Sequence, residues 1–98
     1  MDYILKILVS TCIDKKDWLG FKVTKKNPYT YHHIKKRCEG GLRTLENGAP
    51  LTKDGQKYIH GFEITNPEKF KQLNAELLEK NKQLVKRRFW YYEYFSRL

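Results

Sequence analysis

Asn66-Pro67-Glu68 is the strongest structural instruction in this sequence. An Asn side chain accepts from the unpaired N–H groups of a first helical turn. Proline suits the first helical position because its missing N–H is not needed there, and Glu sits at the positive end of the helix dipole. Phe70, Leu73, Leu77, Leu84 and Tyr91 then fall near one face, so a helix is expected from Pro67 to about Phe95. A chain of 98 residues holds one domain, 1–98, with a small core. Any chemistry it performs must therefore be compact and built on a few side chains.

Upstream of that helix the punctuation changes. Tyr3 to Val9 and Trp18 to Val23 read as two short strands around the charged turn Asp14-Lys15-Lys16-Asp17. The first run is brief enough to suit a short helix equally well. Asn27-Pro28 imposes an extended or turned backbone, and Tyr29 to Arg37 continues as an extended stretch. Gly40-Gly41 ends it, and Leu42 to Leu45 leads to a second turn at Asn47-Gly48, which together suggest a hairpin with a wide loop. Thr52 can cap a short helix running through Tyr58, Ile59 and Phe62, with Gly55 in its first turn costing about 1 kcal/mol relative to Ala. The expected fold class is α+β: a short N-terminal β element, a ββα core and a long C-terminal helix.

Charge narrows the partners. There are 20 Lys and Arg against 11 Asp and Glu, a formal charge of +9. That excess suits a polyanion or an acidic protein surface. It is spread along the chain, with 8 basic against 4 acidic residues from position 67 onward and 12 against 7 before it. Lys6 interrupts the apolar opening, which is too short for a secretion signal or a membrane span, so a soluble, cytoplasmic chain with no membrane partner is expected. Cys12 and Cys38 form no C-x-x-C pair, which excludes a cysteine-based zinc site. They are expected to be reduced thiols serving as small core residues.

All three histidines lie in one segment: Tyr31-His32-His33-Ile34, then Asn47-Gly48, then Gln56-Lys57-Tyr58-Ile59-His60. Neighbours on a strand point to opposite faces, so His32 and His33 face different surroundings. Positions 56 and 60 are one helical turn apart and share a face. A hairpin laid on that helix could bring one strand histidine and His60 to a common metal ion. Taken singly, a His-His pair is ordinary surface, Asn-Gly an ordinary turn and a helical His an ordinary hydrogen-bond donor; the joint order and spacing carry the signal.

That order, over residues 28–62, resembles the HNH, or ββα-metal, nucleases, and Gly40-Gly41 with Asn47-Gly48-Ala49 is similar to small phage and plasmid members. The resemblance implies an HNH-like ββα core at 28–62 that binds a divalent metal (Mg, Mn, Ni or Zn). In it His32 would be the strand metal ligand, His33 the general base, Asn47 the residue orienting that base, and His60 the second helix ligand. Gln56 stands where the family has His or Asn as first helix ligand. Its amide oxygen is a neutral ligand, and imidazole is better for transition metals. The paired C-x-x-C clamp of many members is missing.

If such a site works, His33 takes a proton from water, the metal stabilises charge at the phosphate, and Lys35, Lys36 and Arg37 grip the nucleic-acid backbone. A second basic run, Lys86-Arg87-Arg88, precedes Phe89-Trp90-Tyr91-Tyr92, where Trp90 could stack on an unpaired base. The same aromatics could pack on a partner protein or wrap the N-terminal elements. The expected function is an HNH-like protein that binds nucleic acid, DNA in the first place, or a nucleic-acid-bearing protein complex, and nicks or cleaves DNA with a divalent metal. The alternative is a non-catalytic inhibitor on the same scaffold, of anti-restriction or anti-CRISPR type, carried by a mobile element.

Overall fold

In the computed structural model, which describes residues 1–86, the first element is a helix, α1 (Tyr3–Val9). This corrects the expected N-terminal β element. The Asp2 carboxylate accepts the Leu5 N–H at 3.0 Å and so caps the first turn. Leu5 and Leu8, three apart, share one helical face and are both buried. On a strand they would point to opposite sides.

Trp18 to Val23 is also not a strand. Asp17, itself buried, takes the N–H groups of Leu19 and Phe21 on Oδ1, both at 2.9 Å. Its own N–H donates to the Phe21 carbonyl at 2.8 Å. A side chain thus captures donors that a ladder would have used, and the segment closes into a turn. Only isolated bridges remain, Lys16 with Lys22 and Thr24 with Asn27.

Among the described residues the sheet has two antiparallel strands, β1 (Tyr29–His33) and β2 (Gly48–Thr52), with Tyr31 opposite Pro50 and His33 opposite Gly48. The intervening loop carries one 3-10 turn at Arg37–Glu39. Every residue of β2 is buried, because α1, α2 (Lys53–Thr65) and α3 (Pro67–Asn81) all pack against it. Gly48 is required at the hairpin neck, since a Cβ there would lie 2.5 Å from the Tyr31 ring and 2.7 Å from Leu8. Leu8, Trp18, Ile34, Leu45, Leu51, Ile59, Leu77 and Val85 meet in the core.

Both later helices start where the sequence places them. Thr52 caps α2, its hydroxyl accepting the Gly55 N–H at 3.0 Å. Asn66 caps α3, accepting the Lys69 N–H at 3.3 Å, with Pro67 at the first position. The α-helix ends at Asn81 and widens into a π-helical turn over Lys82–Lys86, so the long C-terminal helix expected from Pro67 is present across the described residues. The continuation toward Phe95 lies outside the described residues. Leu77, Asn81 and Val85 are buried at intervals of four. An ideal α-helix would carry such positions about 40° further round at each step, and the wider turn keeps Val85 facing inward. Asn81 also donates from Nδ2 to the carbonyls of Leu45 and Gly48, both at 2.7 Å, fastening α3 to the hairpin neck. The α+β class and the ββα order β1–β2–α2 stand. Among the described residues no helix is long and apolar enough to cross a membrane.

Candidate functional site

His32 is a buried polar side chain on β1, 2% exposed. Alternation on the strand leaves His33 half-buried on the other side. Helix α2 lies against β1 and projects Gln56 and His60, four apart, from one face. The structure therefore brings together the three residues that the sequence grouped as metal ligands.

Their geometry is specific. Gln56 Nε2 donates to the Thr30 hydroxyl and to the Tyr31 carbonyl, each at 3.1 Å. Both partners accept, which fixes the amide orientation and turns Oε1 toward the histidines. Oε1 lies 3.0 Å from His32 Nδ1 and 3.1 Å from His60 Nε2. The two imidazole rings are 5.4 Å apart, centre to centre. On their far sides, His32 Nε2 faces the Asn74 Oδ1 of α3 at 2.8 Å, and His60 Nδ1 faces Glu63 Oε1 at 2.6 Å.

Every ring nitrogen of this pair thus faces an oxygen. If the outward nitrogens donate to Asn74 and Glu63, the inward Nδ1 and Nε2 carry bare lone pairs directed at a third lone-pair atom, Gln56 Oε1. Such a trio is stable only with positive charge among it, supplied by protons or by a cation. Adjacent ligands of a divalent ion bound at 2.0–2.1 Å in octahedral geometry are about 3.0 Å apart. The observed separations of 3.0 and 3.1 Å match that figure and are equally those of N–H···O hydrogen bonds, so the site suits a divalent cation without requiring one. The outward oxygens are the acceptors that commonly orient ligating imidazoles. The donor set has two imidazoles and one neutral amide. Among the described residues no three His, Cys, Asp or Glu side chains form a metal-holding group.

His32, His33, Gln56 and His60 line one open cleft of about 390 Å³, together with Tyr31, Lys36, Arg37, Cys38 and Glu63. The His33 ring makes no hydrogen bond among the described residues and packs edge-to-face with Tyr31, 4.7 Å between centres. Burial, followed by the nearby Arg37 and Arg43 charges, holds its pKa below the ordinary imidazole value. His32 is shifted the same way by burial, against the raising effect of its Asn74 and Gln56 hydrogen bonds. Both imidazoles are therefore biased toward the neutral form.

Two expected roles change. Asn47 makes no hydrogen bond to the His33 ring: its Oδ1 accepts the Lys35 N–H at 2.8 Å and its Nδ2 donates to the carbonyls of Lys35 and Leu42. It sits one step past the His33–Gly48 pair, opposite the backbone that leaves β1, so its amide braces the loop neck. Lys36 is not a free phosphate contact. It pairs with Glu63, whose carboxyl this partner, followed by His60, holds below the usual carboxylate range. Arg37 is exposed and lines the cleft, while Lys35 is exposed two residues before it in the chain. Lys86 ends the π-helical turn, while Arg87, Arg88 and Trp90 lie outside the described residues. Both cysteines are free thiols; Cys12 packs partly against the core, whereas Cys38 is exposed and is no core residue.

The sequence reading missed Glu63 and Asn74. Glu63 was visible in principle, three residues after His60 on the same helical face. Asn74 carried no local signal, being 42 residues from His32. Compared with known protein families, curated proteins and solved structures, the chain matches none.

Proposed function

We propose that this chain is an HNH-like cytoplasmic protein that binds DNA and nicks it with a divalent cation held by His32, His60 and Gln56. One observation carries the reading: His32 Nδ1 and His60 Nε2 converge on the pinned Gln56 Oε1 in the same cleft as an unbonded His33. When bound there, the cation supplies Lewis-acid stabilisation of charge developing on a phosphate oxygen. His33 accepts the proton of the attacking water on a free ring nitrogen, and its lowered pKa keeps that nitrogen unprotonated near neutral pH. Lys35 and Arg37 hold the phosphate backbone. Asn47 keeps the loop that carries them in place. Supercoiled plasmid incubated with Mg, Mn, Ni or Zn is expected to be nicked by the wild type and left intact by His33→Ala. A wild type inert with all four metals overturns the enzyme reading.

A second reading has its own support. Protons can satisfy the His32–Gln56–His60 trio without any cation, because Gln56 offers an acceptor to both rings. Such a network suits a non-catalytic scaffold of anti-restriction or anti-CRISPR type, which would bind a host nuclease or its nucleic acid. Inhibition of a defence nuclease that persists in His33→Ala and His60→Ala supports this reading.

A further inference from the structure

His32 presents a bookkeeping problem in protons. It is buried with neutral amides and no carboxylate against its ring nitrogens, and a neutral imidazole carries one N–H. Yet Nδ1 and Nε2 both face amide oxygens, of Gln56 and Asn74. The two amides are not equivalent. Gln56 is held by Nε2 bonds to Thr30 and Tyr31, so its oxygen cannot be exchanged for its nitrogen. Asn74 has no second hydrogen bond among the described residues to fix which end of its amide meets the ring. Turning it over puts an N–H donor where the oxygen was, with almost no change of shape.

We propose that Asn74 is a positioning residue that follows the proton on His32, turning its amide over when a divalent cation enters the site. Without a cation, His32 donates from Nδ1 to the fixed Gln56 oxygen, and Asn74 donates from Nδ2 to the bare Nε2. With a cation, Nδ1 must be bare. The proton then sits on Nε2, and Asn74 presents Oδ1 to accept it. The ring keeps one proton throughout, so the change needs no net proton uptake. Glu63 cannot do the same for His60, because an ionised carboxylate only accepts. One of the two histidines is therefore locked from outside and the other is adaptable. This inference rests on the cation-site reading above, and it makes α3 part of the site.

The experiment is nitrogen-resolved NMR of the His32 ring in the full chain, with and without Zn²⁺, together with a Zn²⁺ titration of each variant. In the wild type the proton is expected on Nδ1 in metal-free protein and on Nε2 at saturating Zn²⁺. Asn74→Asp, which offers only acceptors, should place a proton on Nε2 even without Zn²⁺ and tighten binding. Asn74→Leu, checked for native amide dispersion, should bind Zn²⁺ at least tenfold more weakly. A wild-type ring whose tautomer is the same in both states overturns the inference, as does Asn74→Leu binding with wild-type affinity. If the wild type binds none of Zn, Mg, Mn or Ni, the cation-site reading fails. The cation-driven turn of Asn74 then fails with it, whereas Zn²⁺ binding with an unchanged His32 tautomer overturns the inference alone.

Discussion

Asp17 accepts both the N–H and the hydroxyl of Thr52 on a single oxygen, at 2.8 and 2.7 Å, across 35 residues of chain. The same Thr52 hydroxyl then caps α2, so one buried carboxylate joins the turn at Trp18–Phe21 to the helix that carries Gln56 and His60. Asp17→Asn should leave an amide N–H group facing the Thr52 donors and cost about 2–4 kcal/mol. Urea unfolding followed by circular dichroism measures it, and a change below about 0.5 kcal/mol would show that the junction is dispensable.

Two glycines of α2 should respond with opposite signs. A Cβ on Gly61 meets nothing within 4 Å, whereas one on Gly55 would lie 2.4 Å from Asp17 Oδ2. Gly61→Ala is therefore expected to stabilise the protein by about 0.5–1 kcal/mol through helix propensity. Gly55→Ala should destabilise it by about 1–3 kcal/mol, because the clash outweighs the same gain. Equal shifts in their thermal midpoints would contradict this account.

Stability should fall on the acid side. Burial lowers the pKa of His32 in the folded state below its ordinary value of 6.5. The unfolded chain then binds more protons between the two values, so this contribution is complete above about pH 6.5 and is lost as pH falls through the folded value. The His33 pKa is lowered too, so it adds an effect of the same sign. Denaturation midpoints measured from pH 8 to 5 should decline, and His32→Leu should flatten the decline.

Gln56→His replaces a neutral amide oxygen with a third imidazole. It gives up the bonds to Thr30 and Tyr31, so about 1–2 kcal/mol of stability should be lost. Zn²⁺ affinity should nonetheless rise by about tenfold or more, since imidazole suits that ion better than an amide oxygen. Competition with a chromophoric chelator reads the affinity directly. Unchanged or weaker binding would mean that position 56 does not face the cation.

How much of this was legible depends on how local each determinant is. α3 and α2 announce themselves through Asn66-Pro67 and Thr52, whose capping bonds reach only three residues ahead. The shared face of Gln56 and His60 follows from helical spacing alone. At α1 both strand and helix stay open in the sequence because seven residues carry too little periodicity to separate them, and the deciding group, Asp2, lies just before the run. Trp18–Val23 was misread because a single side chain, Asp17, outcompetes strand pairing for its N–H groups. Asn47 was expected to face His33, but its amide bonds the backbone of Lys35, two residues further along the chain at the hairpin neck. Asn74 meets His32 only through the docking of α3, which no spacing rule encodes.

The bonds that close the site run long distances along the chain: 35 residues from Asp17 to Thr52, 42 from His32 to Asn74, and 33 from Gly48 to Asn81. Each has one end inside residues 28–62 and the other outside. The stretch that carries the recognisable motif is thus not a portable module. Cut out, it would keep its three histidines and lose the anchors that aim them, so its chemistry belongs to the whole chain.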